Sequence, residues 1–178
     1  GFSEILAFIR VRLDLNVRWV VWHYTNKTIP KLNFWQRTHE SILVCSKDSK
    51  PHFNRDAVRE PYTDDFLNGA AGKKRKATKG RFQKGDKETT YVAHANGALP
   101  RDVIKVPALA GRAGMKERVD HPTQKPLALC EKLIKASIVK GQENMLVVPF
   151  AGSGSECVAA KKENVNFIGY ELNPEYVE

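Results

Sequence analysis

Gly152 and Gly154 lie two residues apart between two apolar runs, "NMLVVPF" and "NFIGYEL", and the second run ends in Glu171. The acid follows the glycine turn by about 20 residues, the spacing at which a strand-end carboxylate accepts a pair of vicinal hydroxyls. Glycines at such a turn let the backbone come close to a ligand's main body. The same residues also suit a plain α/β core, in which the glycines make a tight turn and the acid is solvated.

The types of the neighbouring residues narrow the ligand. A phosphate-binding loop of the G-x-x-x-x-G-K-[ST] kind needs a lysine and a hydroxyl that this turn does not have. The nearest imitation, "GAAGKK" from Gly69 to Lys74, has the wrong spacing and lies in an irregular stretch. A dinucleotide loop needs a third glycine where Cys157 stands, and Glu156 puts a negative charge in the first helical turn, where a pyrophosphate would be repelled. A ligand with adenosine and ribose but no phosphate remains. S-adenosylmethionine, a zwitterion whose sulfonium tolerates a nearby carboxylate, fits that description.

Several elements must position these residues. The opening "GFSEILAFIRVRLDL" reads as an amphipathic helix, capped by Ser3, running to about Leu15, with Ile5, Phe8 and Ile9 on one face. "VRWVVWHY" and "HESILVCS" are β-branched and aromatic and read as an antiparallel strand pair. Regular periodicity fades from Lys47 to about Arg118, where "VIKVPAL" is one of few apolar pieces; this reads as an inserted, loop-rich module. In "HPTQKPLALCEKLIKASIVKG", Thr123 is expected to cap a helix with Pro126 in its first turn, Leu129, Leu133, Ile134 and Ile138 on its apolar face, and Gly141 closing it. Strand, helix (about Ser155 to Glu163) and strand then follow with short links, a parallel βαβ unit, and another helix begins after Asn173-Pro174. The fold class is α/β with a C-terminal Rossmann-like unit.

At 178 residues the chain can hold one domain with a core plus a sizeable insert. Its apolar stretches are far shorter than a membrane span, and its opening carries charges that a signal peptide would not. Cys45, Cys130 and Cys157 are far apart and odd in number, and the five histidines are scattered. Neither a disulfide framework nor a metal site is expected, and a reducing cytoplasm fits. The net charge is +9, and "KKRKATKGRFQKGDK" from Lys73 to Lys87 supplies +7 of it, with eight Lys or Arg against one Asp. Such a run is the footprint of a polyanion partner, although it also suits a solvated loop.

"HPTQKP" followed by a helix, then "PFAGSGS", then "FIGYELNPEYV", resembles the C-terminal part of bacterial DNA amino-methyltransferases, in the order of their permuted β class. "RWVVWHYTNK" and "RTHESILVCSK" resemble the paired strands that precede the recognition insert in that group. The resemblance implies a Rossmann-like S-adenosylmethionine-dependent methyltransferase fold, permuted and incomplete at its N-terminus, with an inserted target-recognition module. Its implied parts are core at 1–46, insert at 47–118 and cofactor-binding core at 119–178. Phe150, Ala151, Gly152, Ser153, Gly154 and Ser155 would wrap the methionine part of S-adenosylmethionine, and Glu171 would bind its ribose. Thr123 and Lys125 would close the site around the carboxylate end, a cation opposite an anion. Lys73, Lys74, Arg75, Lys76, Lys79, Arg81 and Lys84 would contact phosphates of duplex DNA. Phe34 and Trp35 are expected in core packing beside the strand pair, with contact to an extruded base as the other role. His39 and Glu40 fall on opposite faces of a strand and are not an acid/base pair.

The family's catalytic signature, Asp/Ser/Asn-Pro-Pro-aromatic, has no match here, since no Pro-Pro dipeptide occurs. It is expected upstream of Gly1 or on a partner chain, as for a fragment, a truncated gene product or half of a split enzyme, and no catalytic residue is assigned within these residues. Val148 stands where the family has an acid, and Ser155 where it has threonine. The implied activity is methyl transfer to the exocyclic amine of adenine, ahead of cytosine, within a restriction-modification system. The alternative is a non-catalytic DNA-binding subunit that needs a partner for catalysis.

Overall fold

The computed structural model describes residues 2–26, 32–76, 79–80, 85 and 88–177. Along the chain these form α1 (Phe2–Arg12), β1 (Asn16–His23), β2 (His39–Ser46), β3 (Lys74–Lys76), β4 (Glu88–Thr90), β5 (Val103–Lys105), α2 (Leu127–Ser137), β6 (Met145–Val148), α3 (Ser155–Lys162) and β7 (Asn166–Gly169). They divide into two units, one of Gly1–Asn54 with Arg101–Glu178, the other of Arg55–Pro100.

In the larger unit, β1 and β2 pair antiparallel along their whole length, from Asn16 opposite Ser46 to His23 opposite His39. The third strand of this sheet is β5, parallel to β1 with Ile104 opposite Trp22. Within the stretch from 47 to 118, expected as an inserted, loop-rich module, β5 therefore belongs to the core sheet. Only three residues long, β5 carries too little periodicity to be read locally, yet Ile104, Val106 and Ala108 are buried against Trp22, Tyr24 and Leu129. Trp22 Nε1 donates to Val106 O at 2.8 Å, so the buried indole N–H is satisfied by the same segment. The Asn26 side chain donates to Ala108 O and accepts from Ala108 N, both at 2.8 Å, closing the segment beyond.

The βαβ unit is as expected: β6 and β7 run parallel, Met145 opposite Asn166 through Val148 opposite Gly169, joined by α3. A second core gathers Cys130, Ile134, Ala159, Ala160 and Val165. The two cores meet on α2, because Leu129 and Leu133 point to one and Cys130 and Ile134, one position on, to the other.

The helix ends differ from expectation. Ser3 lies inside the first turn of α1 and does not cap it; α1 stops at Arg12, short of Leu15, and Asp14 follows with φ +48°. Ile5 and Phe8 remain more than half exposed. Thr123 does not cap α2, which begins after Pro126; the carboxylate that accepts Leu127 N, at 2.9 Å, comes from Glu117. Pro126 has no side-chain oxygen, so an acid from an adjoining loop takes that orphan donor. Ile138 ends α2, and Gly141, with φ +76°, turns the chain three residues later. The helix start after Asn173 is a single 3-10 turn, Pro174–Tyr176, capped by the Asn173 side chain, which accepts from Glu175 N.

In the smaller unit, β3 and β4 form an antiparallel hairpin, and Tyr62 stacks on Phe66, which meets Tyr91 edge-on. Arg59 bridges Asp56 at 2.8 Å and donates to Gly97 O, and its guanidinium holds the Asp56 carboxyl below the usual carboxylate range.

Candidate functional site

The glycine turn lies at the C-terminal ends of β6 and β7, where loops from parallel strands leave backbone groups free for a ligand. The ladder extends past both strands: Tyr170 N donates to Val148 O and Ala151 N to Tyr170 O, at 2.9 and 2.7 Å. Gly152 then turns with φ +52°, and Gly154, φ +69°, starts α3. Both angles lie in the left-handed region that glycine adopts without a Cβ penalty.

Glu171 closes the site from the β7 side. Its Oε2 accepts from Gly152 N at 2.7 Å and its Oε1 from Asn173 N at 2.8 Å. These two amides, Asn173's foremost, hold the carboxyl below the usual carboxylate range, with smaller help from the Leu172 amide and His121. The group is thus an acceptor-only carboxylate over the whole neutral range.

His121 covers the turn from a third direction. A Cβ on Gly152 would stand 2.9 Å from its Nε2 and 3.0 Å from its Cε1. The ring packs edge-on against Tyr176, centroids 4.6 Å apart, and its Nδ1 accepts from Thr123 N at 3.3 Å. The hexapeptide alone assigns His121 no role, because its closeness to Gly152 depends on residues 31 positions apart and has no local signal.

The missing third glycine has a structural counterpart. A Cβ on Gly169 would stand 2.9 Å from Cys157 Sγ, so close approach of α3 to β7 is provided by a glycine on the strand. Burial, with Glu156 nearby, raises the Cys157 thiol, which stays neutral. Ser155 is almost fully buried, and its Oγ lies 3.0 Å from Ser153 Oγ.

Of the expected site residues, Ala151, Gly152, Ser153, Gly154, Ser155 and Glu171 come together here, half-buried or buried. Phe150 adjoins them with a side chain 90% exposed. Thr123 is exposed and reaches the site through its amide bond to His121. Lys125 points elsewhere: its Nζ lies 3.3 Å from Glu40 Oε2 and 3.3 Å from Thr123 O, and 5.8 Å from the centre of the Trp22 ring. Glu40 is thus an ion-pair partner, apart from its neighbour His39. Phe34 and Trp35, expected in the core, are 78% and 85% exposed in the β1–β2 connection.

A cavity of about 450 Å³ lies between β2 and β6 on a floor made by α2. Ile42, Leu133, Ile134 and Leu146 line it, and β2 and β6 each have one edge without a strand partner among the described residues.

In the smaller unit Lys73, Lys74, Arg75, Lys76 and Lys79 are all exposed. Lys74 Nζ is 2.5 Å from Glu88 Oε2, and Arg75 donates to Gly69 O. Arg81 and Lys84 lie outside the described residues. Among the described residues no cluster of His, Cys, Asp or Glu could hold a metal, and no helix is long and apolar enough to cross a membrane.

Residues 15–178 match the N6/N4 methyltransferase family model, described as DNA methylase. The type II methyltransferase M.HpaI of Haemophilus parainfluenzae is 31% identical over 161 residues, 90% of this chain and 42% of the relative. DNA adenine methyltransferase YhdJ of Escherichia coli K12 is 29% identical over 160 residues, 89% of this chain and 49% of the relative. The chain spans about half the length of the curated relatives it matches. Among solved structures, the M1.HpyAVI–SAM complex shares the fold with a TM-score of 0.55 and 22% identity, over 98% of this chain and 66% of that one.

Proposed function

From its membership of the DNA methylase family we propose that this chain is the cofactor-binding and DNA-binding part of an S-adenosylmethionine-dependent DNA amino-methyltransferase. The observation that carries the reading is the Glu171 carboxylate bound to the Gly152 amide across the ends of β6 and β7. That arrangement offers acceptors for a ribose diol and close backbone for the rest of the ligand, with no group to neutralise a phosphate. Glu171 would take the ribose hydroxyls, and residues 150–155 would surround the methionine part. S-adenosylmethionine, when bound, supplies a methyl group on a sulfonium, and transfer to an amine requires positioning and desolvation from the protein.

Duplex DNA is the proposed substrate, its exocyclic adenine amine ahead of cytosine's, within a restriction-modification system. M.HpaI is named a type II methyltransferase and YhdJ a DNA adenine methyltransferase, which supports that order. The exposed cations of 73–76 and Lys79 would hold phosphates and give affinity without sequence choice, with Arg81 and Lys84 in the same role. Residues 47–118 would supply target recognition, apart from β5, which belongs to the core. The catalytic signature would come from sequence outside these 178 residues or from a partner chain, seated along the cavity between β2 and β6.

The test combines binding of S-adenosylmethionine with transfer of its radiolabelled methyl group to mixed-sequence duplex DNA. Binding is expected, with label reaching DNA only when a polypeptide carrying the signature is added. Tighter binding of ATP or NAD would overturn the cofactor assignment. Label transferred by this chain alone would overturn the placement of the signature, and no label with any added catalytic segment would leave the non-catalytic subunit as the reading.

A further inference from the structure

Glu171 does more in this fold than wait for a ligand. Its two oxygens are bonded to amides of two different loops, Gly152 N after β6 and Asn173 N after β7. Gly152 sits in the left-handed region, outside any regular ladder, and this carboxylate is the acceptor that holds its N–H. One side chain therefore ties together the two loops between which the ligand is expected.

An ionised carboxylate offers about four lone-pair sites. Two are used by the amides, one on each oxygen, which leaves one on each oxygen for a vicinal diol. Loop tethering and diol binding are therefore compatible on the same group. A glutamine has only one acceptor oxygen and would turn an N–H toward the second amide.

We propose that Glu171 is also a positioning residue: it latches the glycine loop in its ligand-ready conformation before any ribose arrives. This deepens the reading of the loop as an S-adenosylmethionine site and rests on it. Loop order set beforehand removes an ordering cost from binding, so the latch contributes to affinity for every part of the ligand.

The test uses the whole chain, as wild type and as Glu171→Gln. In the free proteins, hydrogen exchange of the Gly152 amide is followed by NMR. Binding is then measured for S-adenosylhomocysteine and for its 2′,3′-dideoxy analogue, which has no diol for Glu171 to hold. A latch predicts faster Gly152 exchange in Glu171→Gln and weaker binding of the dideoxy analogue, each by about 2- to 10-fold, the range of one lost hydrogen bond. The loss for S-adenosylhomocysteine is larger, because the diol contact goes too. Unchanged exchange together with equal affinity of both proteins for the dideoxy analogue would overturn the latch and leave Glu171 as a ribose ligand only. If the wild type binds neither compound, the cofactor reading fails, and the exchange comparison alone decides the latch.

Discussion

Replacing Gly152 with alanine separates two costs that the structure distinguishes. Holding a non-glycine residue at φ +52° costs about 1–2 kcal/mol. Loss of chain freedom in the unfolded state returns about 0.4–1 kcal/mol. The second cost is local: the new Cβ would lie 2.9 Å from His121 Nε2, so the ring must shift and weaken its edge-on contact with Tyr176. An aromatic pair of that kind contributes about 0.5–1.5 kcal/mol. Gly152→Ala should therefore destabilise the chain by roughly 0.5–3 kcal/mol. Gly154→Ala is the internal control, since Gly154 has the same hand of φ but nothing within 4 Å of its Cβ position. It should cost roughly 0–1.6 kcal/mol. Urea denaturation of Gly152→Ala, Gly154→Ala, His121→Ala and the Gly152→Ala/His121→Ala pair gives a double-mutant cycle. A coupling of about 0.5–1.5 kcal/mol is expected, with the alanine at 152 cheaper once the ring is gone. Equal costs for the two glycines, together with zero coupling, would refute the packing of His121 on the turn.

Two further outcomes follow from other parts of the molecule. Burial, with Glu156 nearby, pushes the Cys130 thiol up to about 12, from 9.0 for a free thiol. The unfolded chain therefore loses this proton first, so the contribution is complete below about pH 9 and is lost as pH rises towards about 12. Denaturation near pH 8 and near pH 10 should show wild type losing more stability than Cys130→Ala; parallel losses would count against a neutral buried thiol. In the basic hairpin, neutralising Lys73, Arg75 and Lys76 together should weaken DNA binding for all sequences and reduce the log–log salt slope by about 2–3. Lys74→Gln should change it less, because its ammonium already faces Glu88 at 2.5 Å. A slope unchanged by the triple variant would exclude these cations as phosphate contacts.

Local chemistry sufficed for some elements. The β-branched and aromatic runs of β1 and β2 and the strand–turn–helix–strand pattern around Gly152 and Gly154 each contain their own signal within a few residues. The family match over residues 15–178 agrees with the resemblance carried by the hexapeptide and the glycine loop. Expectations that leaned on one residue's propensity fared less well. Thr123 is a good cap by type, but the Leu127 amide is satisfied by Glu117, ten residues earlier. Phe34 and Trp35 are apolar, yet both are largely exposed in the β1–β2 connection.

What the sequence determined by itself was the β1–β2 strand pair and the strand, helix and strand around the glycine turn, because these depend on backbone propensity and on spacing along one chain. What the tertiary structure alone decided was who meets whom. It makes β5 a core strand through a parallel pairing with β1, more than 80 residues away, which three residues cannot announce. It turns Lys125 to Glu40, lays His121 over Gly152, and moves the close helix–strand approach from the third loop position to Gly169. Each of these contacts joins residues distant in sequence, and their free energy exists only once both backbones are held in place.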